Sequence, residues 1–426
     1  MTAPVLDDAV LPAAAYLTSP AAADVLGAAL AAGGAELRSS EPNHVQYRPE
    51  SDLVVRYKAE VAYPDGRVAV ETLVAATTVH GPPPGTVPVE AELDDGEVLS
   101  VGVWRWPFDP VLVGLEAAVV PARAQHRLTG IVSAPVQLEV VAYRPCERTV
   151  VRVTDPDGGE LYVKVVPPHQ VAELAERHRA LGAAGVPVPE VLIADDATGW
   201  IAMTALRGPT LRQQLKTGTR PWPDADAFRD LTRQFAAAEL SQVAPVRPRV
   251  FDASGHAAML ATVVAHQKAR LDELAARFRA AEDRVRARCG AIIHGDLYEA
   301  QLVLDGERIS GVLDIDDAGP GDPLDDFANL LGHLVYRATT TTDPAVRTAV
   351  GDYAIELRRR FGADIDPAEL DEAVAAVLVG LATGPYRIQQ AGWEHIVLEQ
   401  LDHAERLLDG GGDERSLRIG SSPSQT

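Results

Sequence analysis

The pattern of apolar and polar positions divides the chain into a strand-rich first half and a helical second half. Ala21 to Ala32 reads as a helix. Leu53 to Tyr63 and Arg67 to Val79 are runs rich in Val, Thr and Tyr, the composition of strands, and Pro64-Asp65-Gly66 supplies a turn between them. Val136 to Val153, Pro156-Asp157-Gly158 and Leu161 to Val166 repeat that arrangement. Helical periodicity then runs from Val171 to Ala184 and stops at Gly185-Val-Pro-Val-Pro189, because proline cannot continue a helix. Val191 to Ala194 and Trp200 to Thr204 read as short strands. From Leu211 onward the chain is mostly helical, with helices expected within Ala257 to Arg288 and near 345–361, 367–381 and 385–409. The Gly- and Ser-rich tail from Gly410 to Thr426 is expected to be disordered.

Composition narrows the classes. With 426 residues the chain can form two or three domains with a full core. A net charge of −22 argues against nucleic acid and against an anionic membrane surface as partners. Two cysteines, Cys146 and Cys289, are too few for a disulfide framework or a thiolate metal site. The first residues lack the basic segment of a signal peptide, and the longest apolar stretch, Ala373 to Thr383, is too short to span a bilayer. A cytoplasmic protein acting on a small molecule is the expectation. Nothing in the pattern indicates an oligomeric state.

The chemistry is concentrated in His294-Gly295-Asp296-Leu297-Tyr298-Glu299-Ala300-Gln301 and the following Val312-Leu313-Asp314-Ile315-Asp316. Gln301 to Leu304 and Ile309 to Leu313 are apolar runs around an Asp305-Gly306 turn, so a hairpin should return Asp314 to Gln301 and Asp296. That layout suits phosphoryl transfer. One carboxylate accepts the proton of an attacking hydroxyl, while a second carboxylate and an amide oxygen hold Mg²⁺ on nucleotide phosphates. The order of parts resembles the kinase catalytic loop. With Gly after the His, and with Gly321-Asp322-Pro323 and Asp326 downstream, the chain resembles the aminoglycoside phosphotransferase and small-molecule kinase superfamily.

That resemblance implies an α+β, bilobal protein-kinase-like fold with an N-terminal α/β cap domain and a mostly helical C-lobe. It implies ATP and Mg²⁺, with Asp296 catalytic and Gln301, Asp314 and Asp316 at the metal. His294 would brace the loop, and Asp322 and Asp326 would be structural. Lys164, in the otherwise apolar Tyr162-Val-Lys-Val-Val166, would reach the phosphates, paired with Glu173 or Glu176 on the next helix. The main chain of Met203, Thr204, Ala205 and Leu206 would form the adenine hinge. Gln301 stands where most members carry Asn, a feature of the bacterial maltokinase branch. Ile315-Asp316-Asp317 departs from that branch's pattern.

The two strand pairs form an internal repeat: Tyr47-Arg-Pro-Glu-Ser-Asp-Leu-Val-Val-Arg56 parallels Tyr143-Arg-Pro-Cys-Glu-Arg-Thr-Val-Val-Arg152. The sixth residue after the turn glycine is Lys164 in the second copy and Thr72 in the first. Residues 1–128 are therefore expected to be a cap, partly a degenerate copy of the nucleotide lobe at 129–208. The catalytic and acceptor lobe would span 209–409, and the tail 410–426.

For the acceptor, a helix from Pro385 to Asp409 is expected to carry the apolar stripe Ile388, Ala391, Leu398 and Leu401, with Glu394 inside it and Gln390 one turn earlier. With Trp393 these side chains suit an amino sugar: indole against the ring, carboxylate on the ammonium, amide on hydroxyls, while Asp316 and Asp317 are candidates either to assist the metal or to face the acceptor. Gln390-Ala-Gly-Trp-Glu394 resembles a signature of actinobacterial glucosamine kinases, which implies D-glucosamine as substrate. Maltose, another sugar or an aminoglycoside are the alternative acceptors. A catalytically silent binding module is the reading of a different class.

Overall fold

The computed structural model describes residues 6, 8–92, 98–240, 243–285 and 290–410. The expected disorder of 410–426 falls outside these residues apart from Gly410, and so does Cys289. The chain opens with α1 (Ala13–Leu17) and α2 (Ala22–Ala31), then β1 (Glu36–Arg48), β2 (Asp52–Ala62), β3 (Val68–Thr78), β4 (Val87–Glu92) and β5 (Val98–Arg105). Next come α3 (Leu115–Val119), α4 (Pro121–Arg127), β6 (Gln137–Arg144), β7 (Arg148–Thr154), β8 (Glu160–Val165), α5 (Val171–Ala183), β9 (Val191–Asp195) and β10 (Trp200–Thr204). The helical lobe holds α6 (Leu211–Leu215), α7 (Ala225–Ala236), α8 (Arg249–Val263) and α9 (Lys268–Val285). It continues with β11 (Ala291–Ile293), β12 (Leu302–Asp305), β13 (Arg308–Val312), β14 (Gly319–Gly321), α10 (Pro323–Thr340), α11 (Pro344–Phe361), α12 (Pro367–Arg387) and α13 (Trp393–Gly410).

The strand-rich half is built twice. The first antiparallel sheet runs in the order β1-β2-β3-β5-β4 and the second in the order β6-β7-β8-β10-β9, the same connectivity. Glu50 and Cys146, equivalent in the two hairpin turns, both take left-handed backbone at φ 57° and 62°. One carboxylate braces each turn in the same way. Asp8 accepts the Tyr47 hydroxyl and the Glu50 N–H at 2.8 and 2.9 Å, and its other oxygen accepts Val10 and Leu11 N–H. Asp109 accepts the Tyr143 hydroxyl and the Cys146 N–H, both at 2.9 Å, and then Val111 and Leu112 N–H. The second unit alone carries a helix, α5, between its third and fourth strands.

The duplication corrects one equivalence. Counting from the turn glycine makes Thr72 the partner of Lys164, but β2 has 11 residues where β7 has 7. In the ladders Val150 pairs with Lys164, and its counterpart Val54 pairs with Ala76. Ala76 therefore holds the lysine's place, and it is fully buried. Helices α3 and α4, at the end of the expected cap, belong to a core that both sheets share. Leu115, Ala118 and Ala124 of α3 and α4 share a core with Val151, Val163 and Trp200 of the second sheet.

β1 escapes the sequence pattern because only Val45 and Tyr47 of its 13 residues are buried, and Pro42 sits at a register shift. The expected helix from Pro385 is two helices. α12 ends at Arg387, Gln389 (φ 52°) and Gly392 (φ 71°) turn the chain, and α13 starts at Trp393. Among the described residues no helix is long and apolar enough to cross a membrane.

Candidate active site

β12 and β13 form the expected hairpin around Asp305-Gly306, and the Leu313 N–H to Gln301 C=O bond at 2.8 Å closes its base. Asp314 follows at once in left-handed backbone, φ 54° and ψ 55°. An aspartate tolerates that conformation better than most residues, but it still costs of order 1 kcal/mol. It brings the carboxylate back to Gln301, whose Nε2 donates to Asp314 Oδ2 at 3.3 Å. Lys164 Nζ lies 3.0 Å from Asp314 Oδ1 and also pairs with Asp316. Arg148 reaches Asp314 Oδ2 at 2.8 Å and Asp316 at 3.3 Å. Strands β7 and β8 thus hold two cations against two carboxylates of the other lobe. Burial alone would raise the Asp314 carboxyl, but Lys164 and then Arg148 hold it well below the usual carboxylate range.

The catalytic loop is fastened by backbone bonds. Asp326 accepts the N–H groups of His294 and Gly295 at 2.8 and 2.9 Å. Asp322 caps α10 by accepting Leu324 N–H. The Asp296 N–H donates to His294 Nδ1 at 3.2 Å, so the opposite ring nitrogen carries the proton and donates to the Leu313 carbonyl at 2.9 Å. His294 therefore ties the loop to the strand that delivers Asp314. Gly295 has φ +81°, and a Cβ there would come within 2.5 Å of the Asp317 carbonyl oxygen, so a larger residue fails on both counts. Glu299, buried and met by Arg212 and Arg337, anchors the end of the loop to α6 and α10.

Asp296 Oδ1 accepts from Arg249 Nη2 at 2.7 Å and from Asn329 Nδ2 at 3.1 Å. Among the described residues Oδ2 has no partner. Burial raises the Asp296 carboxyl above its ordinary value, with Arg249 and His294 opposing and Asp317 and Asp314 adding to the rise. Arg249, Asn329 and Arg148 were not singled out from sequence. Asn329 carried a signal, a polar amide in the apolar run Phe327-Ala-Asn-Leu-Leu331. Arg249 carried none.

Three expected placements change. Glu173 pairs with Arg177 at 2.7 Å and Glu176 with Arg179, so neither meets Lys164, whose partners are Asp314 and Asp316. The buried face of α5 is Val171, Leu174, His178 and Leu181, which turns both glutamates outward. At the hinge, Thr204 N–H is already bonded to the Glu190 carbonyl, while the Ala205 and Leu206 main chain has no partner among the described residues. Gln390 and Ile388 lie exposed in the break before α13, so the stripe carrying Gln390 and Glu394 does not form. Glu394 sits in the first turn of α13, 3.7 Å from His266, and Trp393 packs edge-on against Tyr386. Val397, Leu401 and Ala404 form the buried face instead.

Among the described residues, no three or more His, Cys, Asp or Glu side chains are grouped to hold a metal ion. Asp314, Asp316 and Gln301 still fit Mg²⁺, which takes one or two carboxylates and draws its other oxygens from phosphates and water. Gln301 presents its amide nitrogen to Asp314, and a half-turn of that amide presents Oε1 instead.

A two-lobed fold with this loop and hairpin defines a group-transfer enzyme. The model of the phosphotransferase enzyme family matches residues 145–370, more than half the chain, and the chain belongs to that family. Among solved structures, a thermostable mutant of an aminoglycoside phosphotransferase, in ternary complex with ADP and hygromycin B, is 18% identical with a TM-score of 0.42, covering 69% of this chain and 99% of its own. A choline/ethanolamine kinase family protein from Mesorhizobium loti is 19% identical with a TM-score of 0.44, covering 72% and 97%. An aminoglycoside phosphotransferase from Streptomyces rimosus is 22% identical with a TM-score of 0.40, covering 62% and 99%. No curated protein matches the chain.

Proposed function

We propose that the chain transfers the terminal phosphoryl group of ATP, with Mg²⁺, to a hydroxyl of a sugar-sized acceptor. The observation that carries this reading is the division of labour at Asp296. Arg249 and Asn329 both take Oδ1, which leaves Oδ2 to accept the acceptor's hydroxyl proton. Asp314, Asp316 and Gln301 are the metal-holding set, and bound Mg²⁺ neutralises phosphate charge. Lys164 and Arg148, which meet those carboxylates, are placed to grip phosphate oxygens. The Ala205 and Leu206 main chain serves adenine.

Within that reading D-glucosamine is the first acceptor to try. Its support is the resemblance of Gln390-Ala-Gly-Trp-Glu394 together with Glu394, a half-exposed carboxylate whose partner is a histidine at 3.7 Å. The test is ADP release with Mg-ATP against glucosamine, glucose, maltose and kanamycin, with Asp296→Asn as the blank. Turnover of any of them that the variant abolishes supports the kinase reading. Equal ADP release by the variant sinks it.

A further inference from the structure

A cavity of about 600 Å³ opens where the β1–β2 hairpin, the end of β6, helix α8 and the end of α12 meet. No residue of the catalytic loop lines it, and helix α8 connects the two. Arg249 starts the helix whose next turns line the cavity and itself grips Asp296.

The lining is unbalanced in charge. Arg48, Arg144, Arg247 and Arg387 face Glu147 and Asp252. Arg48 is paired with Glu147 at 3.3 Å and Arg247 with Asp252 at 3.0 Å. Among the described residues the guanidinium groups of Arg144 and Arg387 have neither a hydrogen bond nor an ion pair. Desolvation and then the charge of Arg144 lower the Arg387 pKa, and Glu147 opposes them. The histidines add no compensation. His44 is pushed down to about 4 by burial and by Arg56, Arg387 and Arg144, so it is neutral at pH 7. His256 is lowered by burial too, and its Nδ1 is buried without a partner. In a chain of net charge −22, two solvent-exposed arginines without ion-pair partners that line one open cavity offer a site for an anion.

We infer that the acceptor carries an anionic group, a carboxylate or a phosphate, and that Arg144 and Arg387 bind it in this cavity while its hydroxyl meets Asp296. The inference rests on the phosphotransferase reading and competes with D-glucosamine as its acceptor. It turns the acceptor away from an amino sugar, whose ammonium would be repelled by the same two arginines. The one other source of such an anion is the terminal phosphate of the nucleotide, since Arg144 pairs across the ladder with Arg148. The acceptor is preferred because the cavity that Arg144 and Arg387 line is bounded by the β1–β2 hairpin and α8 and is lined by none of Arg148, Lys164, Asp314 and Asp316.

The experiment is calorimetric titration of the full chain, saturated with Mg-ADP, with glucuronate, glucose 1-phosphate, inorganic phosphate, glucose and glucosamine. The chain is compared with Arg387→Gln, Arg144→Gln and the charge-keeping Arg387→Lys. ADP release from Mg-ATP is measured in parallel. The expected result is that the anionic sugars bind at least about tenfold more tightly than glucose or glucosamine. Either Gln variant should remove that preference and Arg387→Lys should keep part of it, with Mg-ATP affinity unchanged within about twofold. Preference for glucose or glucosamine, or no arginine-dependent binding of any anion, overturns the inference and leaves the kinase reading intact. A Gln variant that weakens Mg-ATP instead assigns the arginines to the nucleotide and also overturns it. Asp296→Asn releasing ADP like the unchanged chain removes the kinase reading itself.

Discussion

At the scale of residues, the roles given to Asp296 and its neighbours make separable predictions. Asp296→Asn keeps the shape and both Oδ1 contacts but cannot take a proton. It should lower kcat by about 10³-fold, within the range for loss of a general base, while Mg-ATP affinity stays within about twofold by titration. Arg249 holds down a carboxyl that burial pushes up. The proton acceptor must be ionised, so Arg249→Gln should move the acid limb of the kcat–pH profile upward, by about one pH unit, and Arg249→Lys should bring most of it back. An unmoved limb with reduced kcat would mean that Arg249 acts on shape alone. Asp325 next door is buried, and burial with Asp326 and Asp322 raises its pKa to about 7 against the opposing backbone N–H and charge of Arg249. A carboxyl raised above its unfolded value contributes stability that is complete below the unfolded pKa, near 4, and is lost as pH rises through about 7. Asp325→Asn should therefore raise Tm at pH 8, by roughly 3 °C or more, and change it less at pH 5. Equal shifts at both pH values would deny the carboxyl this titration.

At the scale of elements, the twin braces divide function between two hairpin turns. Asp109 holds the turn that carries Arg148 to Asp314, and Asp8 holds the turn that carries Arg48 to the cavity. Asp109→Asn should raise the KM for ATP by about tenfold, whereas Asp8→Asn should leave it within about twofold, since each loses charge-assisted bonds in its own turn only. Matching effects in steady-state kinetics would show that the turns move as one. How far these elements could be read in the sequence follows from where the pattern is local. The β12–β13 hairpin, α5 and the short strands β9 and β10 were legible because turn residues and apolar periods agree over a few positions. The repeat of Tyr-Arg-Pro was legible too, but Asp8-Ala-Val-Leu and Asp109-Pro-Val-Leu, its braces, sit some 35 to 40 residues upstream of the turns and need the fold to connect them. The break between α12 and α13 went unread for a different reason. Apolar residues happen to continue at helical spacing across it, and Gly392 was the one residue that announced a stop. Arg249 and Arg387 belong to no motif, and only the packing of α8 against α12, and of α12 against β1, sets their positions.

At the scale of the whole molecule, the question is whether the N-terminal sheet is a removable cap or part of one folding unit. Val54, Val74, Ala76 and Trp104 of the first unit share a core with Tyr143, Val151, Val163 and Trp200 of the second. Trp104 also donates to the Tyr143 hydroxyl at 3.3 Å, and that hydroxyl donates in turn to the Asp109 carboxylate bracing the Arg148 turn. Arg56 adds a bond to the Tyr143 carbonyl at 2.9 Å. Interfaces made of core rather than of rim do not separate under thermal load, because exposing one unit's apolar face uncovers the other's. Calorimetry should therefore show the two sheets unfolding together. Trp104→Ala, which opens a large void in the shared core, should cost about 3–5 kcal/mol and lower Tm by roughly 10 °C. The fall should reach the second sheet as well as the first, seen as matched loss of amide protection in β2 and β7 by hydrogen exchange. Loss confined to β2, or an early separate endotherm for the first unit, would make the first sheet an independent cap. Matched loss would mean that the duplicated lobe is a platform, and that the turn carrying Arg148 to Asp314 is held in place through a core to which the other copy contributes.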